Sequence, residues 1–151
     1  VDDQQRVLDI FKSFREVNQA FFQGMQKAAQ HHGVTPLQFM VLRILNNCPE
    51  IRLSELAEQL HLGNSTTSGI IDRMVKADLV SRERSDTDRR NVILKLTDKG
   101  NDMWKQTHQT RLERLAPLLE LAEEDQAHLQ RIHNQIVQIL HRVREEETNH
   151  E

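Results

Sequence analysis

Apolar residues in the first thirty positions recur at spacings of three and four: Val7, Leu8, Ile10, Phe11, Phe14, Val17, Phe21, Phe22 and Met25. That period predicts one long amphipathic helix over residues 2–31, stopped near Gly33 after the pair His31-His32. Thr35-Pro36-Leu37-Gln38 reads as a new helix start, with threonine as cap, proline at the first helical position and glutamine closing a capping box. This second helix carries Phe39, Met40, Leu42, Ile44 and Leu45 and stops at Asn46-Asn47-Cys48-Pro49. Ile51-Arg52-Leu53 fits a minimal strand, and Ser54 is expected to cap a short helix over residues 55–61 that turns Leu56, Ala57 and Leu60 inward.

After the turn Leu62-Gly63, a fourth helix is predicted from about 64 to 77, with Ile70, Ile71, Met74 and Val75 as its buried face. Residues 79–84 and 91–96 alternate apolar and polar, as two paired strands do, and the wholly polar residues 85–90 form the hairpin tip. Thr97 caps a second long helix through Trp104, Leu112, Leu115, Leu118 and Leu119, with Pro117 expected to kink it. Glu123-Glu124-Asp125 favours a final helix start, and that helix carries Leu129, Ile132, Ile136, Val137, Ile139, Leu140 and Val143. The acidic residues 145–151 are expected to fray. The fold class is therefore mainly α with a small β-hairpin wing, the module framed by long N- and C-terminal helices.

Composition narrows the picture. A chain of 151 residues can bury a core without staples. Its single cysteine, Cys48, excludes an intramolecular disulfide framework. No apolar run approaches the roughly 18 residues of a membrane span, and there is no signal-peptide pattern, so the expected compartment is the cytoplasm. A net charge of −3 does not advertise a polyanion partner. Locally, basic residues outnumber acidic ones between 73 and 99, whereas acidic residues dominate from 113 onward. Any polyanion-facing surface is thus expected in the middle. Four of the five phenylalanines lie in the first helix, and a helix with that much aromatic surface needs a partner.

The middle also carries the candidate chemistry. The fourth helix opens with Asn64, Ser65, Thr66, Thr67 and Ser68, short donor–acceptor side chains followed by Gly69. A helix that reads base edges must enter the major groove without bulk at its first turns, and its N-terminal amides favour phosphate. Arg73 lies two turns along, Arg84 closes the first strand, and Arg89 and Arg90 sit at the ribbon tip beside Asp88. An arginine on such a ribbon suits a narrow minor groove. Each feature has a bland counterpart: hydroxyl runs cap helices and charged tips are solvated. The contiguous order of helix, turn, helix and basic ribbon favours the DNA reading.

Three strings then carry a resemblance. They are Leu53-Ser54-Glu55-Leu56-Ala57, Asp72-Arg73-Met74-Val75-Lys76-Ala77-Asp78-Leu79-Val80 and Asp86-Thr87-Asp88-Arg89-Arg90-Asn91-Val92-Ile93-Leu94-Lys95-Leu96-Thr97-Asp98-Lys99-Gly100. The last is an acidic-arginine wing, a strand and a Thr-x-x-Gly helix start. The segment resembles the winged helix-turn-helix of the MarR family of bacterial transcription regulators, and the layout of the flanking helices extends the likeness to nearly the whole chain. The resemblance implies an obligate homodimer interlocked through the first and last two helices, with 1–33 and 98–151 as dimerisation elements and 34–97 as the DNA-binding module. It places residues 64–68 and Arg73 on or beside a recognition helix and Arg90 at the minor-groove position. It further implies repression from an inverted-repeat operator, on double-stranded DNA, relieved by a small molecule or an oxidised thiol.

Three signals are open. Cys48, beside Pro49 with no adjacent basic residue in sequence to lower its pKa, reads as structural rather than redox-sensing. His31, His32, His108, His128, His133 and His141 lack a completing carboxylate or thiol, so no metal site and no cofactor is expected. A small aromatic or amphipathic effector would meet Phe14, Asn18, Phe21 and Phe39, residues that ordinary core packing also explains. No nucleophile–base pair, phosphate loop or metal motif marks an enzyme, and no catalytic residue is expected. A winged helix that binds protein is the remaining alternative, separable by the salt dependence of DNA affinity.

Overall fold

The computed structural model describes residues 2–88 and 91–148. Its elements follow in order as α1 (Asp3–His31), α2 (Pro36–Asn47), β1 (Ile51–Arg52), α3 (Leu53–Leu60), α4 (Asn64–Lys76), β2 (Val80–Arg84), β3 (Val92–Leu96), α5 (Asp98–Leu115), a 3-10 turn (Ala116–Glu120) and α6 (Glu123–Thr148). The mainly helical architecture with a small antiparallel sheet is the one the apolar pattern predicts. Two compact units divide it, Val1–Leu115 and Ala116–Glu151.

Local chemistry sets most boundaries of the first unit. Asp2 accepts from the Gln4 amide to start α1. Gly33, at φ +74°, ends it by letting the Gly33 and Val34 amides return to the Gln30 and Ala29 carbonyls. The capping box of α2 is complete: Thr35 Oγ1 accepts from the Gln38 amide, and Gln38 Oε1 accepts from the Thr35 amide, both at 3.1 Å. Thr97 Oγ1 accepts from the Gly100 amide at 3.0 Å to open α5.

The core lies where α2, α3, α4 and the sheet converge. Phe39, Leu42, Leu45, Ile51, Leu56, Ile71, Met74 and Leu94 are all under 3% exposed. β3 is the central strand, in the order β1-β3-β2, pairing Ile51 with Leu94 and Val80 with Leu96. The short Ile51-Arg52 strand therefore extends the wing hairpin at its β3 edge, a long-range pairing that alternation alone does not reveal. α1 packs on α5 and α2, yet its buried residues are only Ala28 and Ala29. Val7, Leu8, Ile10 and Phe11 are 58–65% exposed.

Five expectations are corrected. Leu53 belongs to α3, so the strand is two residues long and Ser54 lies inside the first turn. The cap is Arg52, which makes no side-chain capping bond; its Nε donates instead to Glu55 Oε1 at 2.6 Å. α3 ends at Leu60, with His61 at φ +54° in the left-handed turn that closes it. Pro117 does not kink a continuing helix: α5 ends at Leu115 and a 3-10 turn follows. Proline lacks the amide that would continue the ladder and disfavours helical backbone in the residue before it. In the second unit, α6 carries Leu129, Ile132, Ile136, Leu140 and Val143 at helical spacing and runs to Thr148, so residues 145–148 of the end expected to fray are helical, while 149–151 lie outside the described residues. No glycine or proline interrupts them.

Candidate nucleic-acid interface

The turn between α3 and α4 is made by backbone bonds. The His61 amide donates to the Glu58 carbonyl and the Leu62 amide to the Ala57 carbonyl, at 3.1 and 3.0 Å. The cap of α4 is Gly63, in extended backbone and without a side chain to offer. Asn64, Ser65 and Thr66 thus begin the helix rather than cap it, and all three are exposed. This removes the capping explanation for the polar run. It also leaves the first amides of α4 without a capping side chain among the described residues, the arrangement that favours an anion there.

Thr67 departs from the expectation. It is fully buried, and its hydroxyl donates to the Gly63 carbonyl at 2.9 Å. It shares a face with Ile70, Ile71 and Met74, three, four and seven residues on, so helical period turns it into the core and away from any groove. Ser68 is half-buried and Arg73 exposed, with Arg73 Nε donating to the Gly69 carbonyl at 3.3 Å.

The wing is fastened to α4 by an ion pair between Arg82 on β2 and Asp72. Lys95 on β3 meets Glu83 at 3.0 Å and Glu50 at 3.3 Å, and those hydrogen bonds raise its pKa above the ordinary lysine value. Lys99 Nζ donates to the Ala77 carbonyl. Arg82, Lys95 and Lys99 are therefore engaged within the module, and a charge count along the sequence overstates what it offers a polyanion. Arg84 ends β2, exposed. At the tip the Ser85 amide donates to the Asn91 carbonyl, and the Asn91 amide and side chain both donate to Asp88. Arg89 and Arg90, and any pairing of them with Asp88, lie outside the described residues.

A second feature of the first unit is a cleft of about 670 Å³ between α1, α2 and α5, lined by Asn18, Phe21, Phe22, Arg15, Arg43 and Arg111 among others. Of the four expected pocket residues, Asn18 and Phe21 lie in this lining. Phe39 is not in the lining: it is fully buried and stacks on Trp104 at 5.4 Å, with the Arg111 guanidinium 5.3 Å from its ring centre. Phe14 is half-exposed and outside the lining. The arginines were missed because they lie on three elements and converge only in the fold. Burial and neighbouring Arg43 lower the Arg111 pKa, and its Nε has no hydrogen-bond partner among the described residues. His108 stacks on Trp104 at 4.7 Å, and burial with Arg111 nearby lowers its pKa. Cys48 is half-buried, its Sγ 3.9 Å from Gln59 Nε2. Among the described residues no three His, Cys, Asp or Glu side chains cluster as metal ligands, and no helix is long and apolar enough to cross a membrane.

The model of the MarR family matches residues 34–92, the stretch from the start of α2 into β3. YsmB of Bacillus subtilis, described as an uncharacterized HTH-type transcriptional regulator, is 32% identical over 116 residues, covering 77% of this chain and 80% of that one. The chain belongs to the MarR family. It is accordingly a transcriptional regulator and not an enzyme. Among solved structures, a MarR family protein from Bacillus stearothermophilus superimposes with a TM-score of 0.82 at 25% identity, over 93% of this chain and 99% of that one. A cysteine-to-serine mutant of MarR from E. coli, solved in complex with operator DNA, shares the fold at a TM-score of 0.73 and 24% identity, over 90% and 99% of the two chains.

Proposed function

We propose that this MarR-family chain acts as a cytoplasmic homodimeric repressor that reads an inverted-repeat operator and is released by a small anionic, amphipathic effector. Residues 1–33 and 98–151 form the dimer frame and residues 34–97 the reading module. Asn64, Ser65, Thr66 and Ser68 face base edges and phosphates, Arg73 the backbone, and Arg84, Asp88, Arg89 and Arg90 belong to a wing that follows the minor groove. The observation that carries this reading is the first turn of α4: preceded by a glycine cap with no side chain to offer, exposed, and lined by small polar groups. The operator-bound E. coli relative supplies the same fold on DNA. The apolar stripe of α1 supports a partner helix, and the three cleft arginines beside Phe21 and Phe22 favour a ligand with an acidic group and a ring or chain.

Selection of binding sites from random DNA with the purified protein tests the proposal. The expected product is a two-fold repeat with half-sites about one helical turn apart, 10–10.5 base pairs. Its affinity should fall by about 10³-fold or more between roughly 50 and 200 mM salt if six or more phosphates are neutralised. Failure to enrich any sequence would favour a winged helix that binds protein.

A further inference from the structure

The exit of α4 is gripped by the entrance of α5. Three successive carbonyls after the helix each accept one bond from residues 97–99. The Ala77 carbonyl accepts from Lys99 Nζ at 2.9 Å, the Asp78 carbonyl from Thr97 Oγ1 at 2.5 Å, and the Leu79 carbonyl from the Thr97 amide at 3.2 Å. The Thr97 hydroxyl does two jobs, since it also accepts from the Gly100 amide and so caps α5. Asp78 holds the left-handed conformation, φ +60°, that turns the chain from α4 into β2. Gly100 completes the grip: a Cβ there would lie 2.0 Å from the Leu79 carbonyl oxygen, so only glycine allows this approach.

From this geometry we infer that Thr97 and Lys99 are positioning residues for DNA recognition. They make the α4–α5 corner a rigid joint that sets the angle of the reading helix to the dimer frame. The inference rests on the proposal that α4 reads DNA and α5 belongs to the frame. Leverage makes the angle consequential. α4 has 13 residues, about 20 Å at 1.5 Å each. A swing of about 10° at its C-terminal end therefore displaces its N-terminal turn by about 3.5 Å, close to the rise of one base pair. A loosened joint would blur half-site spacing before it weakened each half-site contact.

The test compares wild type with Lys99→Met, Thr97→Val and Thr97→Ser on two DNAs: the selected operator and the same operator with one base pair inserted between its half-sites. Binding is measured well below each variant's unfolding temperature and at several salt concentrations. The affinity ratio of native to expanded operator should drop at least about threefold in Lys99→Met, which removes one tethering bond, and further in Thr97→Val, which removes both the bond to the Asp78 carbonyl and the cap on the Gly100 amide. Thr97→Ser, which keeps the hydroxyl, should retain the wild-type ratio. The salt slope of Lys99→Met should equal that of wild type. A slope reduced by about one would make Lys99 a phosphate contact and overturn the joint, as would an unchanged ratio in both folded Lys99→Met and Thr97→Val. A wild-type protein that selects no DNA would instead overturn the regulator reading itself, and the joint's role with it.

Discussion

Truncation of Phe11 to alanine should loosen the proposed dimer without disturbing the reading module. Phe11 is 63% exposed on α1 and forms one apolar stripe with Val7, Phe14 and Val17. A phenylalanine carries about 200 Å² of accessible surface, so its exposed share is about 130 Å². At about 25 cal/mol per Å², covering that share stabilises by about 3 kcal/mol, of which alanine retains a small part. A two-fold interface contains the residue twice, giving a loss of about 5 kcal/mol per dimer. At 1.4 kcal/mol per tenfold, the dimer dissociation constant should rise by about three to four orders of magnitude. Dilution of fluorescently labelled protein, followed by anisotropy or sedimentation, reads that constant. Leu37→Ala is the control, because Leu37 is also exposed, at 40%, but sits at the start of α2 away from the stripe. Should Phe11→Ala dissociate within tenfold of wild type, the α1 stripe is not the dimer seam and its exposure needs another explanation.

Other expectations follow from the same geometry. Arg90→Ala should weaken operator binding by about 1–2 kcal/mol with the dimer constant unchanged; unaltered affinity in a shift assay would remove the wing from the mechanism. Thr66→Val and Thr67→Val should separate. The first, exposed, should alter the preferred sequence in a site selection. The second should leave that preference intact and cost about 1 kcal/mol in denaturant unfolding, through the lost bond to the Gly63 carbonyl. His108 should make stability fall in acid. Burial and Arg111 lower its folded pKa below the ordinary 6.5. As pH drops through 6.5 the unfolded chain takes up a proton before the folded one does, and stability declines. His108→Phe keeps the stack on Trp104 without the proton, so its unfolding midpoint between about pH 5 and 7 should change less than that of wild type. Equal slopes for the two proteins would mean that His108 titrates alike in both states.

Much of this molecule was legible because its determinants are local. The Thr35–Gln38 box, the Gly33 stop, the Thr97 cap and the alternation on either side of the polar tip each act within a few residues, so reading them in order yields the helices, the wing and the family. Thr67 was legible too: its spacing from Ile70, Ile71 and Met74 marks it as a core position, and only its chemistry, shared with Ser65 and Thr66, disguised that. Other features belong to the tertiary structure. Nothing within Ile51-Arg52 says that its partner is β3, because strand pairing is settled by which edge the packed helices leave open. The backbone choice that put the cap on Arg52 rather than Ser54 was set by the same pairing, which holds residues 51–52 extended. Phe39 became core instead of cleft wall because Trp104 and Arg111, far along the chain, close over it. The cleft's arginines, and the grip of residues 97–100 on the three carbonyls after α4, exist only once distant segments meet. Local hydrogen-bonding and periodicity are written in neighbouring residues; burial, convergence of charge and the angle between two helices are properties of the packed whole.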